Sequence, residues 1–152
     1  MPVQRTFVII KPDAVARNLT GEILSRYERK GLTVVGMRFL QAPRALAEAH
    51  YAVHKERPFF ADLIDFITSG PLLALALEGD AAIAVVRSLN GATDGRSAAP
   101  GTIRGDFGIS VAANLVHGSD SEETARAELS LWFPDDEGIC SWRRSDADWL
   151  DA

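Results

Sequence analysis

The segment PLLALALEG, residues 71–79, constrains the fold more than any other part of the chain. It is apolar almost without interruption. A strand that alternates apolar and polar residues can leave one face in water, whereas a strand that is apolar on both faces needs cover on both. The segment therefore predicts a central strand of a β-sheet.

Strand and helix patterns alternate along the rest of the chain. Runs of β-branched and aromatic residues predict strands at 6–10 and 32–42, and FGISVAANLV predicts the fourth strand at 107–116. Helical patterns cover five segments: 20–32, 43–56, 57–70, 81–89 and 119–133. Taken by itself, this alternation predicts a parallel, doubly wound sheet.

Local signals predict where several helices begin and end. Thr20 is expected to cap the first long helix and Gly31 to end it. Pro58 suits the first turn of a helix that stops at Gly70. Asp80 is expected to cap the helix that follows the central strand.

Composition and charge limit the classes of function. A chain of 152 residues with 47% hydrophobic residues fits one globular domain, predicted to span residues 1–152. Its formal net charge of -5 argues against sequence-independent binding of nucleic acid, which needs a basic face. A local basic pocket for an anionic small molecule is still allowed.

Cysteine use and the N-terminus favour a cytoplasmic protein. Cys140 is the only cysteine, so an internal disulfide and a thiolate metal cluster are excluded. MPVQRTFVIIKPD holds an apolar run too short for a signal peptide or a membrane span. In the tail, Trp142 and Trp149 are expected to anchor against the body of the domain.

The segment 90–108 has five glycines and no periodicity, and two arginines are interspersed among them. Long loops in compact domains are usually functional or disordered. Clustered glycines let backbone N–H groups approach an anion, and arginine matches phosphate oxygens, so anion binding is favoured over a solvated loop. Neither the G-x-x-x-x-G-K-[ST] loop nor a G-x-G-x-x-G turn is present.

His117 precedes the last predicted helix. Ser119 and Glu122 have capping-box spacing, so that helix is expected to begin at Ser119 or Asp120, with exposed N–H groups that attract anions. A neutral imidazole is plentiful at pH 7 and can act as a nucleophile. The alternative is a histidine that merely fills a turn.

Glu128 lies beside the apolar stripe of this helix, because it follows Ala125 by three positions and precedes Trp132 by four. A carboxylate on a buried flank is costly unless a donor binds it. The imidazole of His117 is a candidate partner, directly or through Ser119. The alternative is a carboxylate that reaches water.

His50 and His54 have the spacing of a helical metal pair. The acidic residue of an H-E-x-x-H motif is missing between them, and a third ligand is not evident. A protein zinc site is therefore not expected.

Eight motifs together resemble those of the nucleoside diphosphate kinases. They run through nearly the whole chain: RTFVIIKPDAV, GEI, HY, RPFF, SGP, PGTIRGDF, NLVHGSDS and LWF. The combination of PGTIRGDF with N-x-x-H-G-S-D is highly specific to that family.

The resemblance implies an enzyme that transfers the terminal phosphate of a nucleoside triphosphate to a nucleoside diphosphate by a ping-pong mechanism. His117 would carry the phosphate as phosphohistidine, and base and sugar choice would be broad, in keeping with a role in maintaining nucleotide pools. Ser119 and Glu128 match the residues that orient the imidazole. Tyr51 would lie near the phosphohistidine.

The resemblance also implies a nucleotide site. Phe59 would stack on the base, Lys11 and Asn114 would reach the sugar, and phosphates would meet arginines. The expected nucleotide-binding residues are Lys11, His54, Phe59, Arg87, Thr93, Arg104, Val111 and Asn114. Mg²⁺ would arrive on the nucleotide, without protein metal ligands.

For the fold, the resemblance implies an α+β protein: a ferredoxin-like, four-stranded antiparallel sheet covered by helices. Members assemble as hexamers, tetramers or dimers, so a homo-oligomer is expected, with neither a membrane nor a nucleic-acid partner. The sequence departs from the family at TDGRSAAPG, in a loop that takes part in subunit contacts, and in the C-terminal tail. No catalytic position departs.

A regulatory phosphohistidine protein with weak turnover is the rival hypothesis. A degenerate relative would have lost some of the expected contacts, whereas this chain keeps every one. The sequence therefore favours the enzyme.

Overall fold

The computed structural model describes residues 3–150. The strands are β1 (Val3–Ile10), β2 (Thr33–Gln41), β3 (Pro71–Asp80) and β4 (Val116–Gly118). The helices are α1 (Pro12–Ala16), α2 (Thr20–Lys30), α3 (Arg44–His50), α4 (Phe60–Ile67), α5 (Ala82–Asn90), α6 (Ile103–Phe107), α7 (Glu122–Trp132) and α8 (Ala147–Leu150). Short 3₁₀ turns lie at Ala52–His54 and Pro134–Asp136.

The strands form one four-stranded sheet in the order β2-β3-β1-β4, and every neighbouring pair is antiparallel. Val8 faces Leu75 across the β1–β3 pair, and Ile9 faces His117 across the β1–β4 pair. β3 lies inside the sheet, which confirms the central strand predicted from PLLALALEG. The ferredoxin-like α+β fold implied by the resemblance is also confirmed.

The parallel, doubly wound sheet suggested by the alternation of elements is wrong. β1 and β2 do run in the same direction, because each is antiparallel to β3. β3 is inserted between them, however, so the two parallel strands never pair. Alternation of strands and helices fixes neither the directions nor the order of the strands: α3 and α4 separate β2 from β3, and yet these two strands are antiparallel neighbours.

Each face of the sheet has its own apolar core. Val8 and Leu75 belong to the core beneath α2 and α5, whereas Phe7 and Ala74 belong to the core beneath α3, α4 and α7. Neighbouring residues of a strand point to opposite faces. A strand covered on both sides is therefore apolar at every position, which accounts for the composition of β3.

Three predicted helix starts are wrong. Thr20 is the first helical residue and Leu19 occupies the cap, where its carbonyl accepts from the Ile23 amide. Pro58 lies before α4, whose cap is Phe59. Asp80 does not cap α5.

The cap of α5 comes from another strand. Ala81 occupies the cap position with φ +51°, and the side chain of Gln4 accepts from the Ile83 amide at 2.8 Å. A long-range donor–acceptor pair of this kind replaces a local cap and leaves no local sequence signal. The predicted end of α2 at Gly31 is confirmed, since Gly31 adopts φ +106°.

The fourth strand is much shorter than predicted. Of residues 107–116, only Val116 belongs to β4, and Ile109 and Val111 are exposed. These two apolar side chains therefore face outward, whereas Leu115 and Val116 are fully buried. Apolar content alone does not tell a buried strand from an exposed apolar loop.

The glycines of 90–108 pack mostly against the chain itself. A Cβ on Gly95 would lie 2.4 Å from the Gly108 backbone, and one on Gly105 would lie 1.9 Å from the Ala99 carbonyl oxygen. The Gly105 amide donates to Thr102 Oγ1, which caps α6. The prediction that these glycines cradle an anion is thus wrong for these positions. The glycines instead allow the segment to fold tightly on itself.

The two tail tryptophans differ. Trp142 donates its indole N–H to the Val34 carbonyl at 2.8 Å, which confirms its predicted contact with the body of the domain. Trp149 is 86% exposed, so its predicted anchoring is wrong. Within residues 3–150, the helices lack the length and apolarity needed to cross a membrane.

Candidate active site

A cavity of about 840 Å³ lies between β4, α7, the end of α3 and the 87–104 stretch. Nine of the predicted site residues line it: Lys11, Tyr51, His54, Arg87, Thr93, Arg104, Asn114, His117 and Glu128. Three others do not line it: Ser119, Phe59 and Val111. Ser119 is fully buried behind the wall, whereas Phe59 and Val111 lie on the surface.

His117 is the middle residue of β4, and its side chain points to the α3 and α7 side of the sheet. Two residues earlier, Leu115 adopts φ +74°, a left-handed conformation that is strained for a leucine. Two contacts hold this kink: the Leu115 amide donates to Asp13 Oδ2 at 3.1 Å, and its carbonyl accepts from the Lys11 amide at 2.8 Å. The kink places Asn114 and His117 on the same cavity wall.

Glu128 reaches His117 from α7. Its two carboxylate oxygens lie 2.9 and 3.0 Å from His117 Nε2, and Ser119 Oγ donates to Oε1 at 2.6 Å. Burial opposes ionisation of Glu128, but the hydrogen bonds from His117 and Ser119 and the charge of His117 outweigh it and hold the pKa of Glu128 below the usual range. The predicted direct contact of Glu128 with the imidazole is present, and Ser119 binds the same carboxylate. An ionised carboxylate only accepts, so Nε2 carries the proton and Nδ1 has a lone pair.

The helix start predicted at Ser119 or Asp120 is wrong. Ser121 is the cap of α7, with its Oγ accepting from the Thr124 amide at 3.1 Å. Because Ser119 lies two residues before this cap, its hydroxyl is free to bind Glu128. The capping-box spacing of Ser119 and Glu122 is thus a coincidence of sequence.

His50 is a part of the site whose role the sequence did not reveal. Its ring lies 4.8 Å from that of His117 in an edge-on contact, and Trp132 Nε1–H donates to its Nδ1 at 3.2 Å. Burial and the neighbouring charge of His117 lower the pKa of His50 to about 3. The sequence signal that could have indicated His50 was its position three residues after Ala47, on the buried side of α3.

The metal pair considered for His50 and His54 does not form a helical unit, because α3 ends at His50. Instead, His50, His117 and Glu128 bring their nitrogen and oxygen atoms within 4.8 Å of one another. Hydrogen bonds to Trp132, Ser119 and within the cluster already engage these groups. The absence of a protein metal site stays a prediction.

Part of the cavity lining is cationic. Lys11 Nζ donates to Asn114 Oδ1 at 2.9 Å, and the Asn114 amide donates to the Thr93 carbonyl at 3.3 Å. Burial lowers the pKa of Lys11 to about 8; the charge of Arg104 adds to this shift and Asp13 opposes it. Lys11 therefore loses its charge more readily than a surface lysine.

Arg104 binds the backbone with all three guanidinium nitrogens. Its donors reach the carbonyls of Asn114, Gly91 and Val116 at 3.1, 2.9 and 2.6 Å. Burial and the charge of Arg87 lower the pKa of Arg104, but a guanidinium stays protonated in proteins. Since the group has five N–H donors, two are still available for an anion in the cavity.

Aromatic residues extend from the cavity to the surface. The Tyr51 and His54 rings lie 6.4 Å apart, and the His54 and Phe59 rings 5.5 Å apart. Phe59 is 44% exposed, so one face of it is accessible to a planar ligand. Burial and the charge of Glu128 raise the pKa of Tyr51 to about 12, which keeps its hydroxyl protonated at neutral pH.

Comparison with known proteins decides the family. The family model described as nucleoside diphosphate kinase matches residues 4–138. The chain belongs to the nucleoside diphosphate kinase family. The nucleoside diphosphate kinases of Archaeoglobus fulgidus and Trichormus variabilis are each 55% identical to it over 148 residues, which is 97% of this chain and 97% and 99% of theirs.

Solved structures agree with this assignment. The nucleoside diphosphate kinase of Halobacterium salinarum, solved in complex with CDP, superposes with a TM-score of 0.94 at 48% identity over 98% of this chain and 99% of that one. A nucleoside diphosphate kinase family protein from Babesia bovis gives 0.93 at 44% identity, over 97% and 99% of the two chains.

The predicted activity is thereby confirmed. The chain is a phosphotransferase that moves the terminal phosphate of a nucleoside triphosphate to a nucleoside diphosphate by the ping-pong route of its family. The nucleoside diphosphate kinase resemblance drawn from PGTIRGDF and NLVHGSDS is also confirmed.

Proposed function

We propose that His117 carries the phosphate and that its Nδ1 is the nucleophile. The observation that supports this most strongly is the contact of both Glu128 carboxylate oxygens with Nε2 at 2.9 and 3.0 Å. That contact leaves Nδ1 as the ring nitrogen with an available lone pair. The residue lines a cavity whose lining also includes Lys11, Arg87 and Arg104.

The phosphate is transferred in two displacements at phosphorus, first onto Nδ1 of His117 and then away from it. The Nδ1 lone pair forms a bond to the γ-phosphorus, the bond from phosphorus to the β–γ bridging oxygen breaks, and a nucleoside diphosphate leaves. A terminal oxygen of a second diphosphate then attacks the phosphorus and the N–P bond breaks. Glu128 stabilises the positive charge that the imidazole gains in each transfer.

Cationic and hydrogen-bonding residues hold the phosphates in this proposal. The cavity that His117 lines is also lined by Arg87, Arg104, Thr93, His54 and Lys11. Charge-assisted bonds to phosphate oxygens are strong and geometrically specific for arginine. Tyr51 offers a protonated hydroxyl near the transferred phosphate.

The sugar and base are bound by residues that carry little base specificity. The Lys11–Asn114 pair presents polar groups to the sugar, and Phe59 offers an exposed ring for stacking. Val111, 53% exposed, adds apolar surface for the base. Stacking does not read the base edge, which fits broad base choice. The CDP complex of the Halobacterium salinarum relative supports a nucleoside diphosphate as ligand.

Mg²⁺ is proposed to enter with the nucleotide as part of the substrate. Its charge would offset that of the phosphate oxygens. The carboxylate nearest His117 is Glu128, which is already engaged by His117 and Ser119. A dedicated cluster of protein ligands is therefore not required.

We further propose that the enzyme works as a homo-oligomer in the cytoplasm. β2 is an edge strand of the sheet and exposes Met37 and Phe39, an apolar edge that a second copy would cover. A single cysteine, Cys140, fits a reducing compartment. Light scattering coupled to size exclusion gives the subunit number directly.

The identity of the phosphorylated nitrogen is testable by NMR. Protein labelled with ¹⁵N in its histidines and phosphorylated with ATP should show phosphorus coupling to Nδ1 of His117. Coupling to Nε2 would mean that Glu128 does not hold that nitrogen, and the proposed orientation would be wrong.

The lowered pKa of Lys11 predicts that activity falls at alkaline pH. Its pKa is lowered to about 8, so the charged form is present below that pH and is lost as the pH rises through it. Because kcat/KM reports groups of the free enzyme, kcat/KM should fall above pH about 8. The Lys11→Arg variant should move this fall to higher pH, since arginine stays charged. A fall at the same pH in both proteins would exclude Lys11 as its cause.

Arg104→Ala is expected to weaken ADP binding. A charge-assisted contact is worth about 1.5–3 kcal/mol, and calorimetry of ADP binding measures it. Arg104→Lys should not restore affinity, because one ammonium cannot span three carbonyls and a phosphate. Arg17→Ala is the matched control, since Arg17 bonds the Phe107 carbonyl outside the cavity lining. Unchanged ADP affinity in Arg104→Ala would show that phosphates do not meet this residue.

A further inference from the structure

His50 packs directly behind the His117 ring. It is the last residue of α3, its side chain is 2% exposed, and its ring meets that of His117 at 4.8 Å with an interplanar angle of 82°. Trp132, at the end of α7, is fully buried beside it. His50 lines the cavity, and Trp132 is not part of its lining.

The hydrogen bond between them fixes the protonation of His50. An indole N–H can only donate, so the bond from Trp132 Nε1 at 3.2 Å requires Nδ1 of His50 to accept. An accepting imidazole nitrogen carries no proton. His50 is therefore held as the neutral form protonated on Nε2.

This protonation state matters because Nδ1 of His50 is also 3.6 Å from Glu128 Oε2. A proton on Nδ1 would turn His50 into a second donor for the carboxylate and would compete with His117. With Nδ1 bare, the side-chain donors that reach the carboxylate among residues 3–150 are His117 Nε2 and Ser119 Oγ.

The other charges around His50 act in the same direction, apart from Glu128. His117, Lys11 and His54 disfavour a proton on the ring, Glu128 favours one, and burial has the largest effect. Together they lower the pKa of His50 to about 3. The tryptophan contact then decides which nitrogen of the neutral ring is bare.

We propose that Trp132 and His50 are a pair of positioning residues: the indole N–H keeps His50 Nδ1 unprotonated, which reserves the Glu128 carboxylate for His117 Nε2–H. The pair thereby determines that His117 presents Nδ1 to the phosphate. This inference rests on the proposed role of His117 as nucleophile.

Imidazole NMR of the native enzyme without nucleotide tests the pair before any turnover. Long-range ¹H–¹⁵N spectra distinguish the two neutral tautomers. We expect a bare Nδ1 and a protonated Nε2 on both His50 and His117. A proton on Nδ1 of His50 would overturn the proposal even if His117 is phosphorylated, whereas failure of His117 to accept phosphate would contradict the proposed function and leave these spectra unchanged.

The Trp132→Phe variant keeps an aromatic ring but removes the donor. The proton of the neutral His50 ring is then free to move to Nδ1, where it would compete with His117 for Glu128. We expect a proton on His50 Nδ1 in the long-range ¹H–¹⁵N spectrum of the variant and a fall in kcat/KM for ATP of roughly threefold to tenfold, the effect of one hydrogen bond. A merely structural role for Trp132 would lower activity with the His50 proton still on Nε2.

The double variant Trp132→Phe, His50→Leu identifies the source of this loss. Leucine has no donor, so nothing competes with His117 for Glu128, and the double variant should be faster than Trp132→Phe alone. A double variant that is as slow as Trp132→Phe, or slower, would assign the loss to repacking around Trp132 and would overturn the proposal.

Discussion

The His117→Ala variant is expected to transfer no measurable phosphate between nucleotides, although it folds. Alanine removes the atom that forms the N–P bond, and Glu128 and Ser119 beneath it offer no other nitrogen nucleophile in the same place. Loss of a nucleophile typically costs roughly 10⁴-fold or more in rate. A coupled assay with ATP and a second nucleoside diphosphate measures the transfer.

The controls for His117→Ala separate chemistry from folding. Its circular dichroism and ADP affinity should stay near native, because the cationic wall of Lys11, Arg87 and Arg104 is untouched. His117→Asn retains a side-chain amide that can still donate to Glu128, and it should be equally inactive. Substantial transfer by either folded variant would mean that phosphate passes directly between nucleotides or through another residue.

Glu128→Ala is expected to slow the phosphorylation of the enzyme while leaving nucleotide binding nearly unchanged. Without the carboxylate, Nε2 of His117 is no longer held as N–H, and the charge that the ring gains in transfer is not compensated. Removing the group that orients a catalytic imidazole costs on the order of 10²-fold or more. Single-turnover kinetics with ATP isolate this step.

Glu122→Gln is the matched control for Glu128→Ala. Glu122 belongs to the same helix, bonds Gln4 at the surface and does not line the cavity. Glu122→Gln changes the net charge by the same amount as Glu128→Ala, so the single-turnover rate of Glu122→Gln should equal that of the native enzyme. If both variants have the native rate, Glu128 has no part in the transfer.

The sequence predicted the elements that depend on local and apolar patterns. β1, β2 and β3 lie where apolar runs place them, and α2 ends at Gly31 with the expected left-handed residue. The order of the strands was not available from the residues alone. It depends on the insertion of β3 between β1 and β2, a long-range arrangement that only the family resemblance supplied.

Long-range contacts also explain the errors at individual residues. Asp80 does not cap α5, because the side chain of Gln4 reaches across from β1 and caps that helix instead. Ser119 has the spacing of a cap, yet its hydroxyl binds Glu128 nine positions later along the chain. Such partners are set by packing, which a local pattern does not contain.

Most of the site was predicted, including the buried Ser119, and His50 beside His117 was missed. His117 and Glu128 meet as the stripe of α7 suggested, and most of the expected phosphate ligands line one cavity. His50 was considered only as half of a metal pair, since its contact with Trp132 joins residues 82 positions apart. Its significance appears only when α3 and α7 are seen to pack together.

The most direct test of the central claim is incubation of the native enzyme with ATP labelled in its γ-phosphate, in the presence of Mg²⁺, followed by peptide mapping. We expect one acid-labile phosphate on the peptide that contains His117, discharged completely by added GDP or dTDP. Acid-stable label on Ser119, or label that a second diphosphate does not remove, would contradict the account.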